Sequence, residues 1–137
     1  MSRILAIDYG AKRTGLAWTD PGRMIATAIG SVDTPALIAT LSQKITEGPV
    51  GCIVIGLPRK TDLEDTHSTA AVHKLAAELK TRFPEVMIDL YDERFTSRIA
   101  AQALAMAGVK DKKKKEKKLI NAVSAVLILQ DYMQYTS

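Results

Sequence analysis

The chain has 137 residues, 47% of them hydrophobic and 25% charged, which suits one packed domain and excludes both global disorder and a second independent core. Aromatics are only 5%, so the interior is expected to be aliphatic, as in a sheet covered by helices. The net charge of +4 is local: Lys110 to Lys118 holds seven lysines against Asp111 and Glu116, whereas the rest carries twelve cations against thirteen acids.

Arg3 to Tyr9 reads as a strand ending in the carboxylate of Asp8, and Thr14 to Thr19 as a second strand. The connection Gly10-Ala11-Lys12-Arg13 has hairpin length. After the turn Asp20-Pro21-Gly22, Ile25 to Val32 gives a third strand, so an antiparallel meander is expected. Thr34 can then cap a helix with Pro35 at its first position, carried by Leu37, Ile38, Leu41 and Ile45 and stopped by Gly48-Pro49. Val50 to Gly56 is a continuous apolar run, fitting a strand buried on both faces. It contains the single cysteine, Cys52, which allows no internal disulfide and reads as a buried strand residue.

A polar loop is expected over Leu57 to Asp65, then a helix over Thr66 to Arg82 with Ala70, Val72, Leu75, Ala76 and Leu79 on its apolar side. Phe83-Pro84 ends it. Met87 to Tyr91 is a strand, Thr96 to Ala107 a helix closed by Gly108, and Leu119 to about Gln134 a last helix, apolar nearly all round. The lysine run before it reads as a solvated loop or as an electrostatic footprint for RNA or DNA. A membrane is the weaker partner, because no apolar aromatic face accompanies the lysines. No run reaches the roughly 18 apolar residues of a membrane span and no signal-peptide pattern opens the sequence, so a cytoplasmic location is expected.

This order describes a single α/β domain over residues 1–137, a mixed five-stranded sheet flanked by helices. Open α/β sheets place their sites at the carboxyl ends of strands. Asp8, Gly56-Leu57-Pro58 and Asp92-Glu93-Arg94 all fall there, and they converge if the first strand neighbours the fourth and the fourth the fifth. Carboxylates crowded at one edge repel unless a cation lies between them, which points to a divalent metal. Each feature also has a plainer reading: Asp8 as a turn residue, Asp92-Glu93-Arg94 as the start of a helix. Gly10 and Gly15 bracket Lys12 and Arg13, so backbone amides and two cations would meet an anion approaching Asp8.

As a set, IDYGAKRTGLAW from Ile7, GLP at 56–58, DERFTS at 92–97 and the lysine run leading into NAVSAVLILQDY at 121–132 resemble the YqgF/RuvX family. These are small bacterial ribonuclease H-like proteins, described both as Holliday junction resolvases and as nucleases for the 5′ end of pre-16S ribosomal RNA. The resemblance spans the chain and implies a ribonuclease H-like fold. It implies that Asp8 and Glu93 are metal ligands for Mg²⁺ or Mn²⁺, with Asp92 a neighbouring or alternative ligand. Lys12 and Arg13 would meet the phosphodiester, Arg94 would either do so or orient the carboxylates, and the run including Lys112, Lys113, Lys114 and Lys115 would add sequence-independent affinity. The implied reaction is phosphodiester hydrolysis, with two cations clamping an in-line displacement.

One position departs from the family. Asn121 stands where the family usually has an Asp, and the positions three or four away on the same helical face, Lys117, Lys118, Ser124 and Ala125, supply no compensating carboxylate. Asn121 is read as a catalytic, metal-binding ligand of reduced charge, the alternatives being a helix-capping residue, a neutral variant of no consequence, and a nuclease turned RNA-binding module. His67 and His73 lie about 240° apart around a helix and read as surface residues, and Tyr9 and Trp18 as packing residues. An actin-like ATPase would need two such domains, and 137 residues supply one. A monomer is the default, although a junction resolvase would need a symmetric dimer.

Overall fold

The computed structural model describes residues 2–57, 63–92 and 113–136, with side chains placed over 2–56, 70–91 and 122–134. In chain order these form β1 (Arg3–Asp8), β2 (Arg13–Thr19), β3 (Ala26–Asp33), a 3-10 turn (Thr34–Ala36), α1 (Leu37–Glu47), β4 (Val50–Leu57), α2 (Leu63–Arg82), β5 (Met87–Asp92) and α3 (Lys113–Thr136). The expected helix over Thr96 to Ala107 lies outside the described residues.

The sheet order is β3-β2-β1-β4-β5. The first three strands are an antiparallel meander, whereas β1, β4 and β5 run parallel. The adjacency on which convergence of the strand ends depends is therefore present. β4 is buried on both faces, with Cys52, Ile53, Val54 and Ile55 at most 2% exposed.

Strand alternation splits the interior in two. One face carries Leu5, Ile7, Leu16, Ile53 and Ile55 under α1 and α2, which contribute Leu37, Leu41, Val72, Leu75 and Leu79. Ala70 is exposed rather than part of that stripe, and His73 is exposed as expected. The other face carries Ile4, Ala6, Ala17, Cys52 and Val54 under α3, which contributes Ala125, Ile128, Leu129 and Tyr132. The small Ala6, Ala17 and Ala125 allow the helix to approach closely. Tyr132 fixes its far end, donating a 2.8 Å hydrogen bond from its hydroxyl to Asp89 and meeting Tyr91 edge to face. Tyr9 and Trp18 pack at the edge of the first core, and the Arg3 guanidinium lies 4.2 Å from the Trp18 ring centroid.

Two local expectations are corrected. The backbone from Lys113 onward is already helical, so most of the lysine run belongs to α3 rather than to a loop. Lysine is a good helix former, and the packed face further along supplies the stability that propagates the helix back through it.

Thr34 caps nothing. The residue preceding α1 is Ala36, with no side-chain cap. Thr34 instead donates its hydroxyl to the Gly10 carbonyl at 2.6 Å, meets the Thr14 hydroxyl at 3.0 Å, and donates its amide to the Lys12 carbonyl at 2.9 Å. The β1–β2 turn is thereby clamped to the start of α1.

Replacing Thr34 with Val keeps the shape and removes the hydroxyl part of this clamp. Thr34→Val is expected to destabilise the fold by about 1–3 kcal/mol, because the hydroxyl of the buried Thr14 loses a partner as well. A lower urea midpoint at unchanged slope is the expected result; an unchanged midpoint would contradict it.

Candidate active site

Asp8 closes the central strand β1. Its neighbour on β2 is Gly15, and β4 beside it continues in register through Ile7 and Ile55 toward Gly56. Further out, Leu57 pairs with Asp92, the last residue of β5. The backbone at 92 thus stands one residue beyond the level of Asp8, two strands away. The ends of β1, β4 and β5 form one edge, as expected. Glu93 and Arg94 follow outside the described residues, so their place is known only as the continuation of β5. Lys112 also lies outside them, while Lys113, Lys114 and Lys115 form the first turn of α3.

The β1–β2 turn forms the adjoining rim. Lys12 is exposed at its tip and Arg13 is half-buried at the start of β2. A Cβ at Gly10 would collide with the Arg13 carbonyl oxygen, so only glycine lets the chain fold this tightly. The turn presents one cation to solvent and holds its backbone close to Asp8.

On the other side stands α3. Ser124 is fully buried, and its hydroxyl is near enough to Asp8 to favour the ionised carboxylate. It does not reach good hydrogen-bonding geometry, and its oxygen has no bonded partner. Position 121 lies one helical turn earlier, in the ninth place of a helix that starts at Lys113. The capping alternative for Asn121 is excluded: that residue is in a helix interior.

Burial pushes the Asp8 carboxyl up from 3.8 to about 6, with the Ser124 hydroxyl opposing part of that rise. No described lysine or arginine forms a salt bridge with it. A half-buried carboxylate whose ionised form is disfavoured by its surroundings is a good ligand for a hard cation, which would restore that form. The described residues alone contain no cluster of three or more His, Cys, Asp or Glu. Asp8 therefore fits a divalent cation as one ligand, and any further protein ligands would come from positions 92, 93 and 121.

Residues 2–135 match the family described as RuvX: Holliday junction resolvase. The chain belongs to that family. A Porphyromonas gingivalis protein named "Putative pre-16S rRNA nuclease" is 44% identical over 97% of this chain and 96% of its own. A Flavobacterium psychrophilum protein of the same name is 40% identical over 97% of both chains. Thermus thermophilus RuvC, solved in complex with a Holliday junction substrate, aligns with a TM-score of 0.58 at 13% identity, covering 97% of this chain and 96% of that one. That likeness is one of fold, and it is the ribonuclease H-like fold that the strand order displays. The RuvX family and these relatives are nucleases by name, that is, hydrolases of phosphodiester bonds. Among the described residues no helix is long and apolar enough to cross a membrane.

Sequence reasoning missed the threonine clamp and the approach of Ser124 to Asp8. A hydroxyl between Ala122 and Ala125 on the packed side of the last helix was the available signal for the second.

The raised Asp8 carboxyl has a stability consequence in metal-free protein. Folding favours its protonated form, so ionisation carries a stability cost, absent below about pH 4 and fully present above about pH 6. Asp8→Asn is therefore expected to raise stability by roughly 1–3 kcal/mol at pH near 8, the gain vanishing toward pH 4. Thermal melts in a chelator at the two pH values check this; equal stability at the higher pH would contradict it.

Proposed function

We propose that this protein is a divalent-cation-dependent nuclease that processes precursor ribosomal RNA, with Asp8 as the central ligand of the cation. The observation that carries the reading is Asp8 itself, a half-buried carboxylate at the carboxyl edge of the central strand whose ionised form its partial burial disfavours. The family supplies the reaction class, and the names of relatives alike over nearly their whole length supply the RNA.

Asp8, Glu93 and Asn121 would hold Mg²⁺ or Mn²⁺, with Asp92 beside them. When bound, the cation offsets charge developing on the phosphodiester and favours attack by water. Asp8 contributes a fixed negative oxygen in a setting poor in water, where electrostatic interactions are strong. Lys12 and Arg13 on the turn and Arg94 after β5 would hold the phosphate in line with that edge.

Lysines at a helix N-terminus oppose the helix dipole and one another. A polyanion reverses both penalties, because the same amides and ammonium groups attract phosphate. The first turn of α3 thus gains most from bound nucleic acid. Asn121, in the third turn, is a ligand one charge short, so weak cation binding is the expected consequence. The family description also favours four-way DNA junctions as substrates; resolving one takes two symmetric nicks and hence two copies.

Cleavage of an end-labelled precursor RNA with Mg²⁺ or Mn²⁺ is expected to fall at least about 100-fold in Asp8→Asn. Asn121→Asp is expected to cut at lower cation concentration than the wild type. Preferential cutting of a four-way junction in the same panel would move the assignment to DNA. Cation-independent cleavage that survives Asp8→Asn would sink the proposal.

Changing Lys113, Lys114 and Lys115 together to Gln tests the binding role. RNA affinity should drop and become less salt-dependent, the logarithmic slope decreasing by about 0.7 for each single-strand phosphate that is no longer neutralised. An unchanged slope would place the nucleic acid elsewhere.

A further inference from the structure

A second feature of this edge concerns hydroxyls. On β1, Ile4, Ala6 and Asp8 alternate onto the α3 side of the sheet, where the first two pack beneath Ala125, Ile128 and Leu129. The antiparallel registers extend that row outward: Asp8 opposes Gly15, and Gly15 opposes Ser31 on β3. With no side chain at Gly15, the row has a gap between a carboxylate and a serine. Ser124 reaches down from α3, fully buried. The hydroxyl oxygens of Ser31 and Ser124 are both buried without a hydrogen-bond partner.

Two such hydroxyls on the side of the sheet that carries Asp8 call for an explanation, since an unsatisfied buried hydroxyl is destabilising where alanine would not be. Alanine is what α3 carries on either side of Ser124, at the buried positions Ala122 and Ala125. The polar group at 124 is therefore not a requirement of packing.

We infer that Ser124 is a positioning residue: its hydroxyl orients the Asp8 carboxylate toward the open edge of the sheet, with the Ser31 hydroxyl bounding the same gap over Gly15. The inference rests on the reading of Asp8 as a cation ligand. Once a cation draws Asp8 into its ionised form, the Ser124 hydroxyl, unpartnered without it, is placed to donate to one carboxylate oxygen and leave the other for the cation. It touches neither substrate nor cation, and acts only through Asp8. Groups of this kind around ligating carboxylates set their orientation and affinity.

Mn²⁺ binding by the full chain, followed by electron paramagnetic resonance without nucleic acid, tests it alongside thermal melts. Ser124→Ala should fold with an unchanged or higher melting temperature, as removal of an orphan hydroxyl from a helix implies, and bind Mn²⁺ roughly tenfold more weakly. Asp8→Asn should lose the site. If Asp8→Asn loses it and Ser124→Ala binds like the wild type, the positioning role is overturned and the reading of Asp8 stands. Weaker binding accompanied by a lower melting temperature would make Ser124 a packing residue and likewise overturn it. If Asp8→Asn binds like the wild type, or the wild type binds no Mn²⁺, the reading of Asp8 fails and the role of Ser124 with it.

Discussion

Asp8 is a half-buried carboxylate at the end of the central strand, beside α3, with no salt bridge to a described cation. Ionising such a group in a poorly solvated setting is unfavourable until a cation arrives. The surrounding architecture keeps it there. β1 is hydrogen-bonded on both sides, antiparallel to β2 and parallel to β4, so the position of Asp8 is set by the most constrained backbone of the sheet. Thr34 and Gly10 fix the turn that follows, and Tyr132 with Asp89 fixes the helix that covers it. The instability concentrated at this point is offset by two aliphatic cores, where truncation of a single buried leucine such as Leu79 to alanine would cost about 2–5 kcal/mol.

The mixed topology explains why chemistry gathers at this edge. Where parallel β1, β4 and β5 end together, the chain leaves the sheet at adjacent points, and the following residues start from neighbouring places. The antiparallel pair β1–β2 instead turns back at once, so that Lys12 and Arg13 lie on the rim that follows Asp8. An anion approaching Asp8 therefore meets positive charge on the turn, while a cation is drawn to the carboxylate. A phosphodiester with a divalent cation satisfies both demands.

Much of this was legible in the sequence because it is periodic or punctuated. The unbroken apolar run at Val50 to Gly56 has the length and composition of a strand buried on both faces, and the meander followed from short strands separated by Gly-containing turns. The same pattern placed Asp8 at the strand end and Lys12 in the turn, whereas Arg13, expected in the connection, is the first residue of β2. What escaped depends on distant partners. Thr34 followed by Pro35 has the local form of a helix cap, but its hydroxyl bonds across 24 residues to Gly10, a tertiary choice that no local pattern reveals. The helical state of the lysines from 113 onward depends on packing further along the same helix. Ser124 was seen only as a position lacking a carboxylate, because a hydroxyl acquires meaning from the buried group it faces.

The most direct test is the titration of Asp8 itself, read from its side-chain carboxyl carbon by nuclear magnetic resonance with and without Mg²⁺. A midpoint near 6 in metal-free protein, moving toward the ordinary aspartate range as Mg²⁺ is added, is the result expected of a buried ligand awaiting its cation. A midpoint near the ordinary value of 3.8 that Mg²⁺ leaves unmoved would show a solvated carboxylate with no part in holding a metal.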